Sequence, residues 1–286
     1  MSFGESVLKV GEAKDIVDTA LKIVDAAAKK GITLRVIGAI AVRLHLEDYH
    51  ELWESLGREV TDIDFAGYDK QRKDIETLLT WAFGFETLKA SLTPGLLMGR
   101  IIWWDASETP VMMPDGKRPL NGDVFLDRLQ MNHNIEWKGR LHIDDPTIPL
   151  AELVLEKTQI VGGEKRLGMG EKDAKDLACV FLEHEIGEGD DDTINSEVIA
   201  KPLSKDWGFY YTVAKNLKML RDEWLPKFKL LKKDRDTIVT RVDKLLDIIE
   251  NTKKSFKWKM RSKVGTKKIW YNPVEEVERY EKRVKF

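Results

Sequence analysis

Hydrophobic and polar positions alternate along the chain with two different periods. Between residues 10 and 30, Ile16, Ala20, Ile23, Val24 and Ala27 recur at intervals of three and four, which predicts an amphipathic helix. Residues 33–37 form a short apolar run that meets Gly38 and passes into a helical pattern over about 40–46. A buried strand that enters a helix through a tight turn has this look. A polar and aromatic passage at 48–57 leads to a second strand at 60–65. A helix over 70–83 stops at Gly84, and strands are expected at 85–88, 100–104 and 123–127. Residues 135–143 read as a strand turning at Lys138-Gly139, and helices are expected over 149–160, opened by Pro149, and over 171–185. The run Glu185-Ile-Gly-Glu-Gly-Asp-Asp-Asp192 breaks the pattern and places a boundary near residue 190. It divides the chain into a unit at 1–190 and a mostly helical unit at 191–286, with Leu217, Trp224, Val242, Leu245 and Ile249 among its core positions.

Composition narrows the class. With 286 residues, 42% hydrophobic and 34% charged, the chain belongs among globular proteins with wet surfaces. No apolar run approaches the roughly 20 residues of a membrane span. The start Met1-Ser-Phe-Gly-Glu-Ser has neither basic nor apolar signal character, so a cytoplasmic protein without a membrane partner is expected. The single cysteine, Cys179, lies in an apolar run and reads as a core residue. His45, His133, His142 and His184 show no metal-ligand spacing with it.

Charge is distributed unevenly. Lys253–Phe286 carries 12 Lys or Arg against 4 Glu, a balance of +8, which leaves about −10 on the rest of a chain whose net charge is −2. Phe256, Trp258, Trp270 and Tyr271 are interleaved with those cations, a composition suited to the phosphates and bases of RNA. The same residues also read as a β-hairpin turning at Gly265, with its aromatics packed inward and its lysines solvated.

Four places carry candidate chemistry. Asp62 and Asp64 sit two apart in the second strand, so their carboxylates share one side of it. Like charges so placed are costly without a cation, and hard oxygen donors suit Mg²⁺; a solvated strand end is the other reading. Asp123 opens the apolar run 123–127 and is the natural third carboxylate, with Asp127 as the fallback at its far end. Lys157 lies in the helix after that run, where a lysine ordinarily faces solvent. Asp173 and Asp176 share one face of the next helix, Asp176 being the favoured functional acid, whereas Asp173 reads equally well as a helix-start carboxylate. The stretch Gly162–Gly170 lacks the Gly-Lys-Ser/Thr ending of a phosphate loop and reads as a connector.

A strand, a Gly38-Ala39 turn, a helix and then Asp62-Ile-Asp64 resemble the core of the nucleotidyltransferase superfamily, and within it the minimal enzymes related to AbiEii-type toxins. The resemblance extends over about residues 10–185, and Glu171-Lys-Asp-Ala-Lys-Asp-Leu-Ala178 looks like a later family motif. In the family the turn is usually Gly-Gly or Gly-Ser; Ala39 lacks the serine hydroxyl, a possible phosphate ligand. The resemblance implies an α+β fold, a small mixed sheet with flanking helices, followed by the helical C-terminal region and basic hairpin. It implies Mg²⁺-dependent transfer of a nucleotide from an NTP to an acceptor. Asp62 and Asp64 would hold the metal, and Asp123 would complete the site and help deprotonate the acceptor. Gly38 and Ala39 would line the phosphates, with Lys157 binding the triphosphate and Asp176 beside it. NTP and an antitoxin-type protein are the partners the resemblance implies, and RNA held by Lys253–Phe286 is the partner that the composition of that segment suits. A catalytically silent nucleotide- or RNA-binding module of the same fold is the alternative.

Overall fold

Helix α1 (Ile16–Ala28) turns Ala20, Ile23, Val24 and Ala27 inward, as its period requires. A computed structural model describes residues 16–88, 99–112, 119–163 and 166–274. The beginning of the helix expected from residue 10, much of the Gly/Pro-rich stretch 91–122, part of the connector around 164–165 and the end of the chain lie outside these residues. Strand β1 (Leu34–Val36) is buried throughout. It passes directly into α2 (Gly38–His45) through Gly38, whose φ of +73° is a conformation that side chains with a Cβ resist. A short helix α3 (His50–Ser55) precedes β2 (Phe65–Gly67), and α4 (Arg72–Thr77) precedes β3 (Phe85–Thr87). Strands β4 (Arg100–Asp105) and β5 (Asn121–Leu126) complete a mixed sheet of order β1-β2-β5-β4-β3, in which only β2 and β5 run parallel.

Strand β5 is buried at every position, and Phe65, Phe85 and Trp103 stack beside it from three neighbouring strands. A small hairpin of β6 (Arg128–Gln130) and β7 (Asn134–Glu136) follows, so the strand expected at 135–143 is confined to its first residues and 138–142 form turns. Helix α5 (Leu150–Thr158) starts at Pro149 and leads through the two-residue strands β8 (Gly162–Gly163) and β9 (Arg166–Leu167) to α6 (Glu171–Glu183). The Asp-rich break is bracketed by a parallel pair, β10 (Glu185–Gly187) and β11 (Thr193–Asn195). Helices α7 (Ser196–Leu203), α8 (Trp207–Met219) and α9 (Lys232–Asn251) come next. They pack on α5 and α6, and one buried core runs from Ala20 to Ile249 across the break.

Two expectations are corrected. The second strand, expected at 60–65, joins the sheet only at Phe65–Gly67. Residues 60–64 lie alongside without a ladder, tied by Ile63 N–H to the Asn121 carbonyl (3.3 Å) and by Ile37 N–H to the Asp64 carbonyl (3.0 Å). The basic hairpin is a helix, α10 (Phe256–Val264), capped by the Ser255 hydroxyl, which accepts from Trp258 N–H (3.1 Å). Gly265, read as a hairpin turn, is the helix C-cap with φ +59°. Packing decided this: Trp258 meets Tyr210 edge-on at 5.1 Å, and Trp270 meets Tyr211 at 5.2 Å while donating to the Thr212 hydroxyl (3.1 Å). Phe256 faces outward, 80% exposed.

The segment after α10 is held by a close approach. A Cβ on Gly208 would lie 2.2 Å from the Trp270 carbonyl oxygen. Gly208→Ala should therefore release the tail from α8 while leaving the helix intact, alanine being the better helix former. Limited proteolysis checks this; cleavage in the tail at the parent's rate, with the chain folded, would show that the contact is loose.

Candidate functional site

Burial alternates around Ile63, which is fully buried between the half-exposed Asp62 and Asp64, so the two carboxylates share the face away from it. The segment can lie this close to β5 because Gly122 has no side chain: a Cβ there would stand 1.7 Å from the Ile63 carbonyl oxygen. Asp64 Oδ1 accepts the Asp123 backbone N–H (2.9 Å), and Asp62 Oδ1 lies 3.4 Å from the Thr61 hydroxyl. Asp123 is buried on β5 directly across from Asp64, and the cation beside it is Arg100. The guanidinium donates through Nε to Oδ1 (2.8 Å) and through Nη2 to Oδ2 (2.6 Å). Asp127, at φ +62°, accepts the Asp69 N–H (3.1 Å) at the end of β5, away from Asp123. Among the described residues no group of three His, Cys, Asp or Glu is arranged to hold a metal ion.

Behind the same β1–α2 turn lies a buried ionic cluster. Lys157 is 6% exposed, so the solvent-facing reading of this lysine is overturned. Helix α5 buries nearly every residue, its charged ones included, so packing on all sides leaves its lysine no wet face. The Lys157 ammonium lies 2.9 Å from Asp176 Oδ2, 3.7 Å from Asp173 Oδ1 and 4.0 Å from Glu156 Oε1. Asp176, fully buried on α6, also accepts from Arg58 Nε (2.8 Å) and Nη2 (3.1 Å) and from the Trp53 indole (2.8 Å). Burial works against ionisation of Asp176, but Lys157 and Arg58 outweigh it and hold its pKa below the usual range. Burial likewise opposes the Lys157 charge, and the carboxylates of Asp176, Glu156 and Asp173 more than offset it, raising the pKa. Burial raises Asp173, and it raises Glu156 to about 7 despite the help of Lys157 and of the Gly38 N–H.

Glu156 joins the cluster to the turn, because Glu156 Oε2 accepts the Gly38 N–H at 3.2 Å. Asp64, through its backbone bond to Ile37, is one residue away on the other side of the turn. The structure thus links the Asp64 main chain and the Lys157, Asp173 and Asp176 cluster through one turn at Gly38, with Asp62 two residues before Asp64 and Asp123 beside Asp64, its carboxylate engaged by Arg100. The Ala39 methyl is buried, which confines any ligand contact at this position to its backbone. Arg58, Trp53, Arg100 and Glu156 escaped the sequence reading. Nothing local set them apart: Glu156 is one of three charges, with Glu152 and Lys157, in a nine-residue helix.

The remaining candidates lie apart. His133 bonds the Thr212 hydroxyl (2.9 Å), while His45 and His184 stand beside Asp144 (3.4 Å) and Asp192 (2.8 Å). Burial pushes the Cys179 thiol up to about 12, as a core residue requires.

No protein-family model matches the sequence, and no curated relative matches it. Two solved structures from Helicobacter pylori are similar to it. One, named "putative nucleotidyltransferase", shares 11% identity over 84% of this chain and 97% of its own, with a TM-score of 0.41. The other, JHP933, shares 11% identity over 88% of this chain and 95% of its own, with a TM-score of 0.39. At these values neither likeness assigns an activity or an equivalent residue to this chain.

Proposed function

We propose that the chain moves a nucleotide from an NTP to an acceptor hydroxyl or phosphate, in the manner of the AbiEii-like nucleotidyltransferases that its sequence resembles. The observation that carries this reading is that the Gly38 turn is tied on one side to the main chain of Asp64, through Ile37, and on the other to Lys157, through Glu156. Gly38 leaves the space a phosphate needs, and the Lys157 ammonium, steered by Asp176, supplies a compact positive charge beside it. Asp62 and Asp64 offer hard oxygen donors, and Mg²⁺ is commonly held by one or two carboxylates together with substrate phosphates, so this pair suits it. Bound there, the ion would neutralise charge on the triphosphate. Asp123 acts as a third ligand, or as the base for the acceptor, only if Arg100 releases it.

The same Arg100 pairing favours the second reading, a silent nucleotide-binding module. RNA is the acceptor we assign, reached through α10, where Lys257, Lys259 and Lys263 accompany the exposed Phe256 and Met260. An antitoxin-type protein partner stays a proposal that rests on the resemblance alone.

Asp64→Asn is the informative variant, since asparagine keeps an oxygen for the Asp123 N–H. Removing a metal ligand forfeits several kcal/mol of charge stabilisation, so transfer of labelled NTP to total RNA should fall about 10³-fold. Thermal stability in metal-free buffer should be equal or higher, one of two neighbouring carboxylates being gone. Transfer by the variant at the parent rate would refute the metal assignment. NTP binding by the parent without transfer to any acceptor would favour the silent module.

A further inference from the structure

The Gly38 N–H is already occupied by the chain's own anion. Glu156 Oε2 accepts it at 3.2 Å, and a Cβ built on Gly38 would point at Glu156 Oε1, 3.9 Å away. The carboxylate thus borders the space that the glycine leaves open, in ordinary contact with it. The charged groups facing it are Lys157 on α5, Asp173 and Asp176 on α6, and, across Asp176, Arg58 from the segment before β2. Three carboxylates stand against two cations, so a phosphate entering beside Gly38 meets a cluster with no positive charge to spare.

We infer that an NTP phosphate seats at Gly38 only together with a proton, taken up by the Glu156 carboxylate that it displaces. The inference rests on the nucleotide reading above. Protonation turns Glu156 from a charged acceptor of the Gly38 N–H into a neutral, weaker one that a phosphate oxygen can displace, and leaves Lys157 and Arg58 balanced against Asp173 and Asp176 alone. Lys157 and Asp176 cannot take the proton's place, since each holds the other charged; Asp173, also raised by burial, is the competing acceptor, but it does not touch the Gly38 N–H. Glu156, raised by burial to about 7, gives up its proton near neutrality in the free protein, so uptake appears above that pH. Above that pH each further unit should weaken NTP binding by up to tenfold, and below it affinity should level off.

Titration calorimetry of each of the four NTPs with Mg²⁺ at pH 8, in two buffers of different ionisation enthalpy, tests this. At that pH the nucleotide is itself fully ionised. The parent should take up about one proton. Glu156→Gln, which keeps an amide oxygen for Gly38, should take up none, bind more tightly at pH 8 and lose the pH dependence. Asp173→Asn separates the neighbouring raised carboxyl and should retain the uptake. Binding by the parent with no proton uptake overturns the inference and spares the nucleotide reading, as does undiminished uptake by Glu156→Gln. No NTP binding by parent or variant overturns both.

Discussion

Asp176→Asn is expected to destabilise the protein by about 3–5 kcal/mol, because it leaves two buried cations without their counter-ion. Arg58 and Lys157 both lean on this one fully buried carboxylate, with the Trp53 indole as a third donor. Asparagine keeps one acceptor oxygen but replaces the other with an N–H group that faces an ammonium or a guanidinium. At roughly 2–4 °C per kcal/mol for a chain of this size, the midpoint should fall by on the order of 10 °C. Lys157→Met should cost distinctly less, about 1–3 kcal/mol, since Asp176 then keeps Arg58 and Trp53 while the raised carboxyls Glu156 and Asp173 can take up protons. Thermal unfolding of the two variants side by side reads the difference. Equal, small losses would mean that water reaches Asp176 and that the cluster is not sealed.

Gly122→Ala should be comparably damaging for a different reason. Gly122 is not in the left-handed region, so alanine costs nothing conformationally. What it cannot avoid is backbone: its Cβ would stand 1.7 Å from the Ile63 carbonyl oxygen, 2.7 Å from the Ile63 carbonyl carbon and 3.0 Å from the Trp103 ring. No flexible side chain is there to give way, so the segment bearing Asp62 and Asp64 must leave β5. Overpacking of this kind costs about 3 kcal/mol or more. Urea unfolding gives the stability, and Mg²⁺-dependent NTP binding by the folded fraction gives the position of the carboxylates. A variant as stable as the parent, with binding intact, would show that the segment does not rest where it is described.

The amino-acid sequence by itself determined the elements whose pattern repeats locally. The buried run of β1, the glycine that turns it into α2, the apolar run that ends β5 and the helices α1, α5 and α6 were legible because periods of two and 3.6 are properties of neighbours in the chain. Asp62 and Asp64 stood out for the same reason, as charges inside an apolar strand pattern, whereas Lys157 and Asp176 were singled out only by the family resemblance. Only the tertiary structure decided what those charges face. Arg58 is 118 residues from Asp176 and Arg100 is 23 from Asp123, and nothing local to an arginine names its partner at such separations. Helix α10 belongs to the same class. Alternating lysines and aromatics suit a hairpin, yet Trp258 docks on Tyr210 of α8 from a helix, and Trp270, beyond that helix, docks on Tyr211. The hydrophobic pattern is written residue by residue, whereas a buried ion pair exists only once the fold has removed water from both partners.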